Sequence, residues 1–149
     1  MIITICSSVD FTPKIIEVKK HLERMGHSIN IPYFTQMIID GKISYETYMK
    51  AKEKDGDILL RNAQSVDMIK RYWDFIKNSD AILILNQEKK GISNYIGGNT
   101  LMEMGFAYGH GKKIFLFNTI PKRSERMHYV DEIMDMKPIV INGDLSKIR

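Results

Sequence analysis

The feature that most constrains the fold is an uninterrupted apolar run, Ala81-Ile82-Leu83-Ile84-Leu85, which Asp80 introduces. A strand with one solvated face alternates apolar and polar residues, whereas a run without alternation is typical of a strand covered on both faces. Such strands occur in parallel sheets with helices packed on both sides. We therefore expect this run to be a central strand of an α/β fold.

Strand-like and helix-like segments alternate along the rest of the chain. A first strand is expected from Ile2 to Cys6, and a helix is expected to follow it, with Thr12 as its cap and Gly26 as its end. The patterns predict further strands at residues 28–31, 113–117 and 138–141, and helices at about 44–54, 62–78, 100–110 and 124–136. This alternation predicts a flavodoxin-like, doubly wound sheet of about five parallel strands in the order 2-1-3-4-5. We expect one domain over residues 1–149.

The composition favours an ordinary globular protein and argues against both membrane spanning and the binding of a nucleic acid polymer. Hydrophobic residues make up 44% and charged residues 27% of the 149 residues, and no apolar run approaches the length of about 20 residues that crosses a bilayer. The net charge of +4 is spread over pairs such as Lys89-Lys90, which favours a solvated surface over a site for a nucleic acid polymer. The opening strand does not resemble an export signal, and Cys6 is the single cysteine, so we expect a cytoplasmic protein.

No cofactor is expected. The four histidines show no metal-ligand spacing, and Cys6 has no companion thiol. The chain also lacks both the Walker lysine motif and a complete G-x-G-x-x-G fingerprint. These absences argue against a metal centre, NTP hydrolysis and dinucleotide binding.

A doubly wound sheet binds ligands beyond the carboxyl ends of its strands, where the strand order reverses. The residues predicted to project there are Ser7 and Ser8 after the first strand, and Asn86 and Asn118 after two later strands. The two serines could hold a sugar or phosphate through hydroxyl and backbone N–H groups, or they could simply form the turn. Both interpretations stay open.

Gly97, Gly98 and Asn99 precede Thr100 where the long loop enters a helix, so their amides and the positive helix end would favour an anion or polar sugar. The alternative is a plain loop that uses glycine for its conformation. Glu103 lies one turn inside this helix, off the apolar stripe. It could carry the chemistry, or it could form a capping box with Thr100.

The segments 80–85, 102–108 and 111–114 together resemble the nucleoside 2-deoxyribosyltransferase family, with its relatives that hydrolyse deoxynucleoside monophosphates. That family shows an aspartate before an apolar strand, a loop, glutamate-x-glycine-x-alanine, and a second strand after glycine-lysine. This chain has Asp80, then Glu103-Met104-Gly105-Phe106-Ala107, then Gly111-Lys112.

The resemblance implies a flavodoxin-like homo-oligomer, such as a dimer, that cleaves or transfers an N-glycosidic bond of a nucleoside or nucleotide. Glu103 would be the nucleophile that forms a glycosyl-enzyme intermediate. Asp80 joins the expected substrate-binding residues as the aspartate of the pattern. Relatives place an acidic partner where this chain has Tyr72, and a phenol is a weaker acid at neutral pH.

Three functions are consistent with these observations. The first is an N-glycosidase or deoxyribosyltransferase in which Glu103 and Tyr72 are catalytic. The second is a non-catalytic nucleotide-binding or sensing domain that kept the fold and lost the acid. The third is a structural interaction protein.

Overall fold

The computed structural model describes residues 1–55 and 67–149. Its five strands form one parallel sheet in the order β2-β1-β3-β4-β5, which confirms the predicted fold class and strand order. The strands are β1 (Ile2–Cys6), β2 (Ser28–Asn30), β3 (Ala81–Ile84), β4 (Lys113–Leu116) and β5 (Ile139–Val140). All four residues of β3 are buried, as the uninterrupted apolar run predicted.

Six α-helices occur in the described residues. They are α1 (Thr12–Arg24), α2 (Tyr33–Ile39), α3 (Tyr45–Asp55), α4 (Met68–Lys77), α5 (Gly98–Gly109) and α6 (Val130–Asp135). A short 3-10 turn, Val9–Phe11, links β1 to α1, and another, Leu145–Lys147, follows β5.

Several predicted helix boundaries were wrong. Phe11, not Thr12, caps α1, because the 3-10 turn carries the chain into the helix and the Thr12 hydroxyl instead donates to the Val9 carbonyl at 2.7 Å. The helix expected at 124–136 starts only at Val130, since Ser124 and Met127 pair in an isolated bridge. Helix α2 was not predicted. The predicted Ser44 cap of α3 is confirmed, because the Thr47 N–H donates to the Ser44 hydroxyl at 3.0 Å. Of the helix expected at 62–78, residues 62–66 lie outside the described residues.

Helices cover both faces of the sheet. On one face α1 packs Ile15, Val18 and Leu22 against the strands. On the other face α4, α5 and α6 contribute Ile76, Met104 and Ile133 to a second core. No helix in the described part of the chain is both long and apolar enough to cross a membrane.

The strand order reverses between β1 and β3, because β2 pairs on one side of β1 and β3 on the other. The loops after β1 and β3 diverge from this point to opposite faces of the sheet. A crevice is therefore expected there, and it lies next to the start of α5.

Candidate functional site

A cavity of about 1180 Å³ opens at this reversal point. Among the described residues, its walls come from the loops after β1, β2 and β3 and from the helices α2 to α5. Seven of the ten site residues predicted from the sequence line it: Ser7, Ser8, Tyr72, Gly97, Gly98, Asn99 and Glu103. The loops after β1 and β3 and the start of α5 thus border one cavity.

Glu103 lies in the second turn of α5 and lines the cavity. The capping-box alternative is wrong, because α5 begins at Gly98 with Gly97 as its cap and has no side-chain capping bond. Thr100 is thus inside the first turn and is not the cap from which the Glu103 spacing would count. The carboxyl group is left to face the cavity.

Burial raises the pKa of Glu103 to about 8, since desolvation disfavours the charged form. The Cys6 thiol, at the carboxyl end of β1, acts in the opposite direction by donating to the carboxylate. Burial raises the pKa of Cys6 well above its ordinary value, and the Glu103 charge adds to this, so the thiol keeps its proton as a donor. Glu103 therefore lies in a weakly solvated part of the cavity.

Tyr72, on α4, is the third member of this cluster. Its hydroxyl donates to the Ile5 carbonyl of β1, and the side chain is 9% exposed. Burial raises the pKa of the phenol well above its ordinary value, with further contributions from Cys6 and Glu103. Tyr72 lies close to Glu103, but its proton is already engaged by the backbone.

Ser7 and Ser8 form the turn after β1, and both line the cavity. The Ser7 hydroxyl donates to the Leu85 carbonyl at 3.1 Å, which ties the loops after β1 and β3 together. Ser8 accepts from the Lys89 ammonium at 2.9 Å, which places a cation beside the turn. This pair would meet an anionic group bound at the turn.

Lys89 and Lys52 share one carboxylate, Asp10. The Lys89 ammonium lies 2.8 Å from Asp10 Oδ2, and Lys52 pairs with Oδ1. Burial would raise the pKa of Asp10, but hydrogen bonds from both lysines outweigh it and hold that pKa below its ordinary value. Asp10 is therefore ionised, and the cluster keeps one excess positive charge at the cavity wall.

The amino end of α5 faces the same region. Gly97 is the cap, and a Cβ atom at this position would meet the Tyr95 ring at 3.2 Å, so the close approach of that ring favours glycine. The first-turn N–H groups have no side-chain acceptor among the described residues. With Lys89 nearby in the preceding loop, they offer donors and positive charge to an anion.

Three predicted site residues do not line the cavity. Asp80 precedes the amino end of β3, at the opposite end of the strands from the cavity, and it accepts the Ile2 N–H at 2.7 Å. Asn86 is fully buried, donates to the Thr119 carbonyl at 2.9 Å and accepts the Asn118 N–H at 2.8 Å. Asn118 in turn donates to the Asn86 carbonyl at 2.9 Å, so the two asparagines join the loops after β3 and β4.

We expect Asn86→Ala to lower the free energy of unfolding by about 2–4 kcal/mol, because it removes a fully buried amide that joins two loops and leaves two partly buried backbone groups without partners. Urea unfolding followed by circular dichroism would measure this loss. Asn78→Ala, at the exposed carboxyl end of α4, is the matched control and should change stability by less than about 0.5 kcal/mol. Equal, small effects at both positions would contradict the bridging role of Asn86.

Sequence reasoning missed the cluster of Lys52, Lys89 and Asp10, the Cys6 contact with Glu103, and Arg71 on the cavity wall. Lys89 was interpreted as surface charge because it stands in a lysine pair. The lysine pair contains no signal for the Asp10 contact, which depends on how the loops fold back. No group of three metal-ligating side chains occurs within residues 1–55 and 67–149.

No family model matches the sequence, and no curated protein matches it. A solved structure of a CMP N-glycosidase from Clostridium botulinum, BcmB, is similar over 95% of this chain and 90% of that chain. The identity is 14% and the TM-score is 0.46.

Proposed function

We propose that this protein cleaves or transfers the N-glycosidic bond of a nucleoside or nucleoside 5′-monophosphate, with Glu103 as the nucleophile. The observation that carries the proposal is the placement of Glu103. Its carboxyl group lines a large cavity, is not used to cap its own helix, and lies in surroundings that shift its pKa to about 8. A strongly shifted carboxyl group in a cleft is a frequent property of catalytic residues.

The surroundings of Glu103 fit the parts of a nucleotide. The turn at Ser7 and Ser8, the Lys89 ammonium and the first turn of α5 supply donors for a phosphate or for sugar hydroxyls. Aromatic side chains elsewhere on the wall supply a surface for a flat base, and they are Tyr33, Phe34, Tyr48, Trp73 and Phe75. Glu103 would face the sugar between them.

The chemistry follows that of a retaining glycosidase. One Glu103 carboxylate oxygen attacks C1′ of the sugar as the C1′–N bond breaks, and the bonding electron pair leaves on the base nitrogen. The base takes up a proton as it departs. A water molecule or a second base then attacks C1′, which breaks the ester and returns the carboxylate.

The departing base needs a proton donor on the cavity wall. Tyr72 donates to the Ile5 carbonyl and has a pKa raised by burial, so it is a poor acid in this arrangement. The other carboxyl groups on the wall, among the described residues, belong to Asp40 and Asp67. Asp67 accepts the Lys70 N–H at 2.9 Å as the cap of α4, so this side chain is already engaged by its own helix.

A substrate panel tests the proposed function. The protein is incubated with ribonucleosides, deoxynucleosides and their 5′-monophosphates, and free base is followed by chromatography beside Glu103→Ala. We expect base release from at least one compound by the wild type and none by the variant. Base release that survives in Glu103→Ala, or no release from any compound, would contradict the proposal.

The pH dependence of the reaction should follow Glu103. A nucleophile must be ionised, so kcat/KM should rise ~tenfold per pH unit well below pH 8 and level off above it. Initial rates of base release at low substrate concentration, from about pH 6 to about pH 10, measure this profile. A profile that instead falls through pH 8 would mean that Glu103 acts as a proton donor and not as the nucleophile.

The alternative is a nucleotide-binding or sensing domain without turnover. The observation that favours it is the engagement of the Tyr72 hydroxyl by the backbone, which removes the acid expected at that position. Calorimetry separates the two, since tight binding of a nucleotide that is never cleaved would support the sensor.

A further inference from the structure

Arg71 projects from α4 onto the cavity wall between two aromatic rings. Its guanidinium carbon lies 5.7 Å from the ring centroid of Tyr33 and 5.7 Å from that of Phe75, and both rings also line the cavity. These distances lie within the range of cation–π contact, about 6 Å. The two rings therefore restrict where the guanidinium lies.

Arg71 has no carboxylate partner in the described part of the chain, although acids surround it on α4. Asp67 accepts the Lys70 N–H, and Asp74 pairs with the Lys70 ammonium at 3.0 Å. Two of the lysines on the wall, Lys52 and Lys89, differ from Arg71, because both are paired with Asp10. The N–H groups of Arg71 are thus available to a ligand in the cavity.

A guanidinium is planar, always charged and carries only donors, so it matches a flat group with two adjacent acceptors. Guanine and hypoxanthine present O6 beside N7, and cytosine presents O2 beside N3. Adenine places the N6 amino donor beside N7, which opposes a second N–H group. The aromatic surroundings of Arg71 suit a base, while the phosphate donors lie at Ser8, Lys89 and the start of α5.

We propose that Arg71 is a specificity-determining residue that holds the substrate base by an edge with two adjacent acceptors. The predicted effect on turnover rests on the proposed function, whereas the predicted effect on binding does not. It selects GMP, IMP and CMP over AMP. Negative charge that develops on these acceptors as the C1′–N bond breaks strengthens the contact, which assists departure of the base.

The experiment measures two quantities for GMP, IMP, CMP and AMP: kcat/KM of base release, and Kd by calorimetry in the inactive Glu103→Gln background. Arg71→Gln should lower kcat/KM and raise Kd for GMP, IMP or CMP by about 10- to 100-fold, and change AMP by less than about threefold. Arg71→Lys should not restore the preference, because a lysine cannot form two parallel bonds. Lys70→Gln, next to Arg71 and outside the cavity lining, loses the same charge and should behave as wild type.

Two outcomes would overturn the inference. An equal loss for all four monophosphates, absent for the nucleosides, would assign Arg71 to the phosphate. Unchanged values in Arg71→Gln would leave it as surface charge. Selective, Arg71-dependent binding without base release would support the inference while contradicting the proposed enzyme, and circular dichroism of each variant excludes misfolding as the cause.

Discussion

The Glu103→Gln variant is expected to release base at least about 10³-fold more slowly than the wild type while it still binds nucleotide. Glutamine keeps the size and polarity of the side chain but has no carboxylate oxygen that can attack C1′. The measurement is base release under saturating substrate, together with Kd by calorimetry. Glu17→Gln, on the exposed surface of α1, is the matched control and should keep full activity.

A Glu103→Gln variant with more than about a tenth of wild-type activity would show that no covalent intermediate forms on this residue. Loss of both binding and activity would instead indicate that the carboxyl group mainly positions the sugar. Only loss of turnover with binding preserved supports a nucleophile.

The same substitution is expected to change how stability depends on pH. The pKa of Glu103 in the folded protein, about 8, is above the ordinary value of 4.5, so the folded protein retains a proton that the unfolded chain has released between these values. The contribution of this proton to the free energy of unfolding is therefore fully present below about pH 4.5 and is lost as the pH rises through about 8. Each pH unit between these two pKa values corresponds to about 1.4 kcal/mol of the free energy of unfolding. The total loss of stability from Glu103 is therefore at most about 5 kcal/mol.

Glutamine carries no charge, so Glu103→Gln should lack this loss and become more stable than the wild type by a few kcal/mol at about pH 8. Urea unfolding of both proteins between about pH 5 and about pH 9 gives the difference, in which the contributions of all other titrating groups cancel. Glu17→Gln should run parallel to the wild type. If Glu103→Gln also runs parallel, the carboxyl group is better solvated than its place in the cavity implies.

The strand order could be predicted because it depends on local sequence patterns, namely a continuous apolar strand and the alternation of strands with helices. The continuous apolar run of β3 requires cover on both faces, and the helices between successive strands then require parallel pairing. The start of α5 was missed by two residues, since Gly98 and Asn99 have low helical propensity and yet form its first turn. Tertiary contacts and not propensity fix that end of the helix.

The candidate site was predictable only in part, because a sequence does not show which way polar side chains turn. Glu103, Ser8 and Gly98 line the cavity since the fold brings the corresponding strand ends together. Asp80 and Asn86 flank the same strand. Asp80 accepts a backbone N–H at the amino end of the strands, whereas the Asn86 side chain joins two loops by hydrogen bonds. Such pairings depend on residues distant in sequence.

The most direct measurement is mass spectrometry of the protein after reaction with 2′-deoxy-2′-fluoro nucleoside monophosphates. The fluorine disfavours the oxocarbenium-like centre and slows breakdown of a glycosyl-enzyme, so that the intermediate accumulates. We predict one sugar phosphate added per chain, located by peptide mapping on Glu103 and absent from Glu103→Gln. Base release with no adduct, or an adduct on another carboxylate such as Asp67, would contradict the role assigned to Glu103.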